Sequence, residues 1–469
     1  MQNPLDQPVF MRIAAACQQQ KLQAWVVGGF VRDWILQRPS KDIDIVVLGS
    51  GVEAAQALAR ELDHDCSLAV FKNFGTAQVK YQDWVIEFIG ARKESYDRNS
   101  RKPAIETGTL EDDQLRRDFT INSLYISLNE GNYGELIDPF QGIQALQDRV
   151  IVTPTDPNTT FSDDPLRMLR AIRFAARLNF SIDPNTWQAF CQNQGRISIV
   201  SAERISDELN AMISGEKPSR ALSLLFDCGL LHLILPELAA MQGIETIAGK
   251  SHKDNFYHTL QVLDQLAELS NDLWLRWAAI LHDIAKPVTK RFEPKVGWTF
   301  HGHEDKGSRM VKPIFRRLRL PLDEKMKFVE KMVAMHLRPI VLSQEIVTDS
   351  AVRRLIVDAG DDVGALMLLC QADITSKNER KVQRHLENLK KVHDKIQDVQ
   401  QKDELRNWQP VLSGHHIMQH FHIAKPQQIG DLKEAAREAI LDGHIGNTLE
   451  ESLAFCEKLA AELGIPRKS

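Results

Sequence analysis

The chain has 469 residues, 43% of them hydrophobic and 26% charged, with a formal net charge of −5. That length exceeds one compact domain and sets a prior of roughly two to four, and the mixed composition excludes a disordered polymer. A mildly acidic total excludes nucleic-acid binding through bulk charge, so any RNA contact must come from local basic surfaces. The six cysteines, at 17, 66, 191, 228, 370 and 456, form no C-x-x-C pair, which argues against a disulfide framework or a cysteine zinc site and fits a reducing cytoplasm. No basic segment followed by an apolar run opens the sequence, and the most apolar stretch, 222–238, is broken by Asp227, Gly229, His232 and Pro236. It reads as two short core helices, so we expect neither a secretory signal nor a membrane span.

In chain order, helical periodicity falls at 9–20, 31–37 and 52–62, and short β-branched runs bounded by Gly, Asp or Lys fall at 24–27, 43–48, 77–81 and 85–89. This is an α/β block. From Asp164 onward strand signals nearly vanish, and Arg-, Leu- and Ala-rich helical stretches separated by Pro and Gly fill the rest. A highly charged helix is expected from about 377 to 404.

Gly28-Gly29-Phe30-Val31-Arg32-Asp33 joins the first strand to a helix. Two glycines allow close approach of a ligand, and a helix N-terminus favours phosphate; a tight turn that needs glycine explains the same residues. Asp42-Ile43-Asp44 follows on a strand, where residues i and i+2 share a face. Paired carboxylates at the start of an otherwise buried strand repel unless a cation lies between them, and hard oxygens suit Mg²⁺ with substrate phosphates. Glu87, in a second apolar strand, is either a third carboxylate or an edge residue facing water.

These motifs resemble the opening of the polymerase-beta-like nucleotidyltransferases, in the subgroup of class II bacterial tRNA nucleotidyltransferases and poly(A) polymerases. Four further matches follow in order: Arg116-Arg117-Asp118-Phe119-Thr120-Ile121-Asn122, Asp138-Pro139-Phe140-x-Gly142, Asp163-Asp164-Pro165-Leu166-Arg167-x-x-Arg170-x-x-Arg173, and Glu203-Arg204-Ile205-x-x-Glu208-Leu209. The resemblance implies that Asp42 and Asp44 are catalytic, and Glu87 would join them as a catalytic residue if it is the third carboxylate. It implies that Gly28, Gly29, Arg32, Arg117, Asp118 and Asn122 surround the triphosphate and ribose.

Asp164 and Arg167 carry the most chemical information. Cytosine and adenine both present an amino donor beside a ring-nitrogen acceptor, which an aspartate and an arginine can read together, while uracil and guanine present the opposite order. The resemblance makes this pair a protein template. Asp164 before Pro165 is also a helix cap, but capping leaves Arg167, Arg170, Arg173 and Arg177 unexplained; their spacing puts four guanidiniums on one helix face, which is either a solvated surface or, with a metal site upstream, a cradle for triphosphate or base. The family usually has Glu where this chain has Asp163. Residues 92–113 read as a long polar loop, which in the family accompanies full C-C-A addition.

Further along, His258, His282-Asp283, His301, His303, His336 and Asp373 recur in or beside helices. An Asp beside a His inside an apolar helix demands a strong partner, and imidazoles with carboxylates suit Mn, Fe, Co or Ni. The ordered set resembles the HD phosphohydrolase domain, with His258, His282, Asp283 and Asp373 as primary ligands and His303 and His336 completing a two-metal form. In the family such domains are phosphohydrolases or silent. Lys377, Arg380, Lys381, Arg384, Lys390, Lys391 and Lys395 form either an RNA contact or a solvated helix, since acidic residues interleave.

The expected architecture is an α/β head of polymerase-beta-like nucleotidyltransferase fold, followed by an all-α body that includes an HD domain. Its parts are a head at 1–150, a helical neck at 151–245, the HD domain at 246–400 and a helical tail at 401–469. The expected activity is cytoplasmic addition of C-C-A to tRNA from CTP and ATP, with Mg²⁺ in the head, a divalent transition metal in the HD domain and no membrane contact. The alternatives are a poly(A) polymerase, a C-C- or A-adding enzyme, and an HD phosphohydrolase with an RNA-binding head.

Overall fold

The computed structural model describes residues 4–62, 66–71, 75–95, 104–343, 348–376, 378–403, 410–423 and 425–468. The chain divides into two compact units, Met1–Ala239 with Leu318–Leu320, and Ala240–Arg317 with Pro321–Ser469. Among the described residues, no helix is long and apolar enough to cross a membrane.

The first unit opens with a mixed sheet. In chain order its strands are β1 (Ala24–Val27), β2 (Asp42–Val47), β3 (Cys66–Phe71), β4 (Thr76–Tyr81) and β5 (Trp84–Gly90). A separate hairpin, β6 (Arg92–Ser95) and β7 (Ala104–Thr107), precedes β8 (Tyr125–Ser127) and β9 (Leu136–Ile137). The spatial order is β3-β4-β5-β2-β1-β8-β9, with β2 and β5 parallel and the other neighbours antiparallel. Ile43, Ile45, Val46 and Val47 are fully buried, which holds β2 in the middle of the sheet. Its register aligns Val27 with Asp44 on one side and Asp44 with Glu87 on the other.

Two local expectations change. The segment 92–113 is not a plain loop: Arg92 pairs with Thr107 and Lys93 with Glu106, and the helix Leu110–Leu115 follows, closed by a Thr109/Asp112 capping box. Residues 96–103 lie outside the described residues. The helix expected at 31–37 runs instead over Gly29–Ile35 and is ended by Gln37, whose φ of 56° no helix continues.

The rest of this unit is helical: Pro157–Asp163, Leu166–Leu178, Pro184–Asn193, Ala202–Ile213 and Pro218–Asp227. The apolar stretch expected to form two helices holds parts of three, because Gly229 at φ 82° ends one and Pro236 starts another.

In the second unit, helices Asn255–Leu269, Leu273–Leu281, His303–Arg317, Glu324–Met335 and Val363–Asp373 form the HD body. One small hairpin precedes it, Thr246–Ile247 with Lys250–Ser251, and a second interrupts it, Arg291–Glu293 with Gly297–Thr299. The charged helix Glu379–Asp403 leads to Gly414–His420, Gln427–Leu441 and Leu449–Glu462, which close on Leu412, Ile417, Phe421, Leu432 and Cys456.

Candidate functional site

The head brings its predicted residues to one end of β1 and β2. Gly28 adopts φ 71°, and a Cβ placed there would lie 3.3 Å from an Arg117 guanidinium nitrogen and 3.4 Å from Asp44 Oδ2. The missing side chain therefore leaves a slot between an acid and a base. Asp44 is held above the usual carboxylate range, first by burial and then by the negative charge of Asp42, against the pull of Arg117, Arg32 and Arg170. Glu87 is raised in the same way, by burial and by Asp44. Asp42 is exposed at the strand's start, and the three carboxylates do not draw together into a trio of ligand atoms within 4.8 Å.

Around them lies a web of paired charges. Arg32, 4% exposed, makes two 2.9 Å bonds to the Asp33 carboxylate and donates to Asn122 Oδ1 at 2.8 Å. Asn122 donates in turn to Asp118 Oδ1 at 3.0 Å, and Arg170 Nε reaches Asp118 Oδ2 at 2.7 Å. Burial opposes the Asp118 charge, but Arg170, Asn122 and Arg167 outweigh it and bring the carboxyl down to about 2. Arg117 is gripped from behind by the fully buried Asp113 at 2.9 Å and by Tyr125 Oη at 2.7 Å. Phe174 packs under three guanidiniums, with Arg32, Arg170 and Arg173 carbons at 5.1, 5.5 and 4.4 Å from its ring centre.

The helix Leu166–Leu178 holds the base-reading candidates. Asp164 Oδ1 caps it by accepting from Leu166 N at 3.1 Å, while Oδ2 accepts from Arg204 at 3.2 Å. Arg167 donates to the Arg116 carbonyl. The expected four-arginine face is divided: Arg173 bonds Glu208 at 2.6 Å, Arg170 bonds Asp118, and Arg177 is exposed. Sequence reading assigned no role to Asp33, Asp113, Tyr125, Arg204 or Glu208. Arg204 and Glu208 stood in the fifth motif; Asp113 and Tyr125 carried no local signal.

The second site is the HD cluster. Asp283, His282 and His336 are each no more than 1% exposed. His282 follows one helix end and His336 another, and in both the ring Nδ1 lies 2.7 Å from the carbonyl three residues back, Ala279 and Val333. His303 does the same with Phe300 O at 2.8 Å, and His258 Nδ1 meets Thr375 Oγ1 at 2.9 Å. A carbonyl can only accept, so Nδ1 carries the proton in the first three rings and Nε2 is left as a free donor of electrons.

Those Nε2 atoms converge on two acids. His258 lies 3.0 Å from Asp373, His282 3.3 Å from Asp283, and His303 3.2 Å from the other Asp283 oxygen. Two ligand groups result, His258–His282–Asp283 and Asp283–His303–His336, sharing Asp283. All six predicted residues are thus brought together, with Asp373 beside His258, while His301 is exposed and outside both groups. The donor set fits a metal: His282 Nε2 is buried with no hydrogen-bond partner. In a metal-free cluster, burial works against a charged His282, but Asp283 and Asp373 raise it to about 10, whereas burial and His282 depress His336 to about 4.

On the charged helix, Arg380, Lys381, Arg384, Lys390 and Lys391 are exposed, Lys395 is paired with Asp349 at 2.6 Å, and Lys377 lies outside the described residues.

Comparison with known proteins follows the same division. Residues 24–152 match the poly A polymerase head domain, 179–242 the probable RNA and SrmB-binding site of polymerase A, and 255–376 the HD domain. The chain is 34% identical over 323 residues to a multifunctional CCA protein of Pseudomonas syringae pv. syringae, covering 64% of this chain and 72% of that one. It is 33% identical over 366 residues to an A-adding tRNA nucleotidyltransferase of Deinococcus radiodurans, covering 75% and 80%. A solved Thermotoga maritima CCA-adding enzyme complexed with tRNA shares the fold at a TM-score of 0.57 and 22% identity, over 97% of this chain and 95% of that one.

Proposed function

The chain belongs to the family of bacterial tRNA nucleotidyltransferases and poly(A) polymerases with an HD domain, and on that footing we propose that it adds C-C-A to tRNA 3′ ends from CTP and ATP without a nucleic-acid template. The observation that most supports this is the slot at Gly28, where an acid and a guanidinium face each other across space a Cβ would fill.

Asp42 and Asp44, with Glu87, would hold Mg²⁺; the fit rests on Asp44, a half-buried carboxyl whose charge is costly until a cation shares it. When bound, divalent ions supply charge neutralisation for in-line attack of the RNA 3′-hydroxyl on the α-phosphate, with pyrophosphate leaving. Gly28 and Gly29 admit the triphosphate, and Arg32, Arg117, Asp118 and Asn122 orient it and the ribose. Asp164 and Arg167 read the base. A carboxylate has about four lone-pair sites, so Asp164 can keep Arg204 and Leu166 N and still accept from an amino group; Arg167, with about five N–H donors, can spare one for Arg116 O. Arg170 and Arg173 would contact triphosphate or base from the same helix.

The test is an extension assay on tRNA lacking its 3′ end, with each triphosphate alone and in combination. C-C from CTP, then A from ATP, is the expected result. A second reading, favoured by the Deinococcus relative, is addition of A alone to tRNA already ending in C-C; a run of A without C would instead mark a poly(A) polymerase.

For the HD domain, the paired ligand groups around Asp283 support phosphohydrolase activity with one or two transition-metal ions on His258, His282, Asp283, His303, His336 and Asp373. If Asp42→Ala and Asp44→Ala leave the principal activity intact, the protein is an HD phosphohydrolase with an RNA-binding head.

A further inference from the structure

Asp113 is completely buried, three residues before Arg116 and four before Arg117, the spacings at which side chains meet on a turn of helix. Its two carboxylate oxygens are divided between them. Oδ1 accepts from Arg116 Nη2. Oδ2 accepts from Arg117 Nε at 3.0 Å and Nη2 at 2.9 Å, and from Tyr125 Oη at 2.9 Å. We propose that Asp113 is a positioning residue for both halves of nucleotide recognition, fixing the guanidinium that faces the triphosphate slot and the peptide that holds the base-reading arginine. The roles of Arg117 and Arg167 in this rest on the function proposed above.

The phosphate half follows from which nitrogens are used. Nε and Nη2 of Arg117 are turned back to Asp113, and Nε also donates to Tyr125 Oη at 2.7 Å. The remaining nitrogen, Nη1, is the one 3.3 Å from the place of a Gly28 Cβ. It donates to Asn122 O at 3.4 Å, a long bond that occupies one of its two N–H groups. Two charge-assisted bonds to one oxygen, with the guanidinium carbon 5.2 Å from the Tyr125 ring centre, leave the guanidinium plane little freedom to turn. Nη1 is thereby aimed before any ligand arrives. Burial works against the Asp113 charge, but Arg117, Arg116 and Tyr125 outweigh it and hold the carboxyl below its ordinary range.

The base half runs through the neighbouring residue. Arg116 follows the helix Leu110–Leu115 as its C-terminal cap, and its carbonyl accepts from Arg167 Nη2. The residue whose carbonyl steadies Arg167 is therefore tied down by the same carboxylate that steadies Arg117. An acid that only neutralised its neighbours would cost stability when lost. One that aims both cations changes triphosphate affinity and base choice together.

The test is a pair of double-mutant cycles on the full chain. Affinity for ATP with Mg²⁺, without RNA, is measured by calorimetry, and base choice as the ratio of kcat/KM for CTP over UTP on tRNA lacking its 3′ end. Asp113→Asn keeps the shape and removes the charge. It should weaken ATP about tenfold in the native chain and less than about twofold in Arg117→Ala. It should lower the preference for CTP about tenfold in the native chain and less than about twofold in Arg167→Ala. Tyr125→Phe removes one bond to the same carboxylate and should weaken ATP about twofold to threefold. The proposal is overturned if Asp113→Asn lowers the unfolding temperature with affinity and ratio unchanged, or if its losses are equal in every background. Where Asp113→Asn does not fold, unchanged ATP affinity in Tyr125→Phe overturns it. A native chain that binds ATP but transfers no nucleotide to RNA sinks the function proposed above, while the ATP cycle still decides the grip on Arg117.

Discussion

The head and the HD cluster both gather carboxylates, but they hold them in opposite ways. In the HD cluster two acids meet four imidazoles, and within each of the two groups that share Asp283 the ligand atoms lie within 4.8 Å of one another. In the head Asp42, Asp44 and Glu87 form no such trio, and the surrounding cations are taken up by other acids: Arg32 by Asp33, Arg117 by Asp113, Arg170 by Asp118, Arg173 by Glu208. A pocket for an ion can be supplied in full by protein atoms. A pocket proposed for a triphosphate would have to keep several like charges close before the substrate arrives, and internal pairing makes that bearable.

The sharpest break in the comparison is at Asp44. Asp44→Asn should lower nucleotide transfer roughly 10³-fold in single-turnover assays. Its stability should move the other way. A folded pKa raised by burial means the ionised acid costs stability as pH rises, so at neutral pH the Asn variant should unfold at the same temperature or higher.

In the HD cluster, a divalent ion at about 100 times its Kd should stabilise the unit by about 2.7 kcal/mol, read as a raised unfolding temperature that EDTA reverses. His336→Ala should abolish the rise. No rise with Mn²⁺, Co²⁺ or Ni²⁺ would remove the contrast between the two sites.

Asp164→Ala should relax the preference for C and A over U and G by about 10²-fold, measured as ratios of kcat/KM. A uniform loss of rate with unchanged ratios would make Asp164 a cap and nothing more.

Asp118 gives a smaller, pH-dependent effect. Its carboxyl falls from 3.8 to about 2 on folding, so its contribution is complete above the unfolded value and disappears as pH drops through the folded one. About 2 kcal/mol should be lost between roughly pH 4 and 2, and Asp118→Asn should flatten that part of the acid-unfolding curve. Smallest of all, Tyr125→Phe removes one donor from Asp113 and should cost about 1 kcal/mol in denaturant unfolding.

What could be read in the sequence follows the reach of each interaction. The i, i+2 aspartates and the strands carrying them are local patterns, and so are the histidines at helix ends. Their ordered motifs made the family recognisable. Strand β3 was missed because Ser67, Leu68 and Ala69 are all exposed, giving no alternation to detect. The strands at 92–95 and 104–107 were read as loop because charged residues such as Arg92, Lys93 and Glu106 leave no apolar alternation to detect. Asp164 finding Arg204, 40 residues on, and Arg173 finding Glu208, 35 residues on, are tertiary choices that no window of sequence contains.

The carbonyl contacts of His282, His303 and His336 each reach back three residues along the chain. At His282 and His336 ring orientation is therefore a property of a single turn at a helix end, and at His303 of the tight turn that leads into its helix, each carried by a short peptide and renewed whenever that turn forms. Metal exchange demands no rotation of these imidazoles, and fraying of one turn would release one ligand while its neighbours keep their aim.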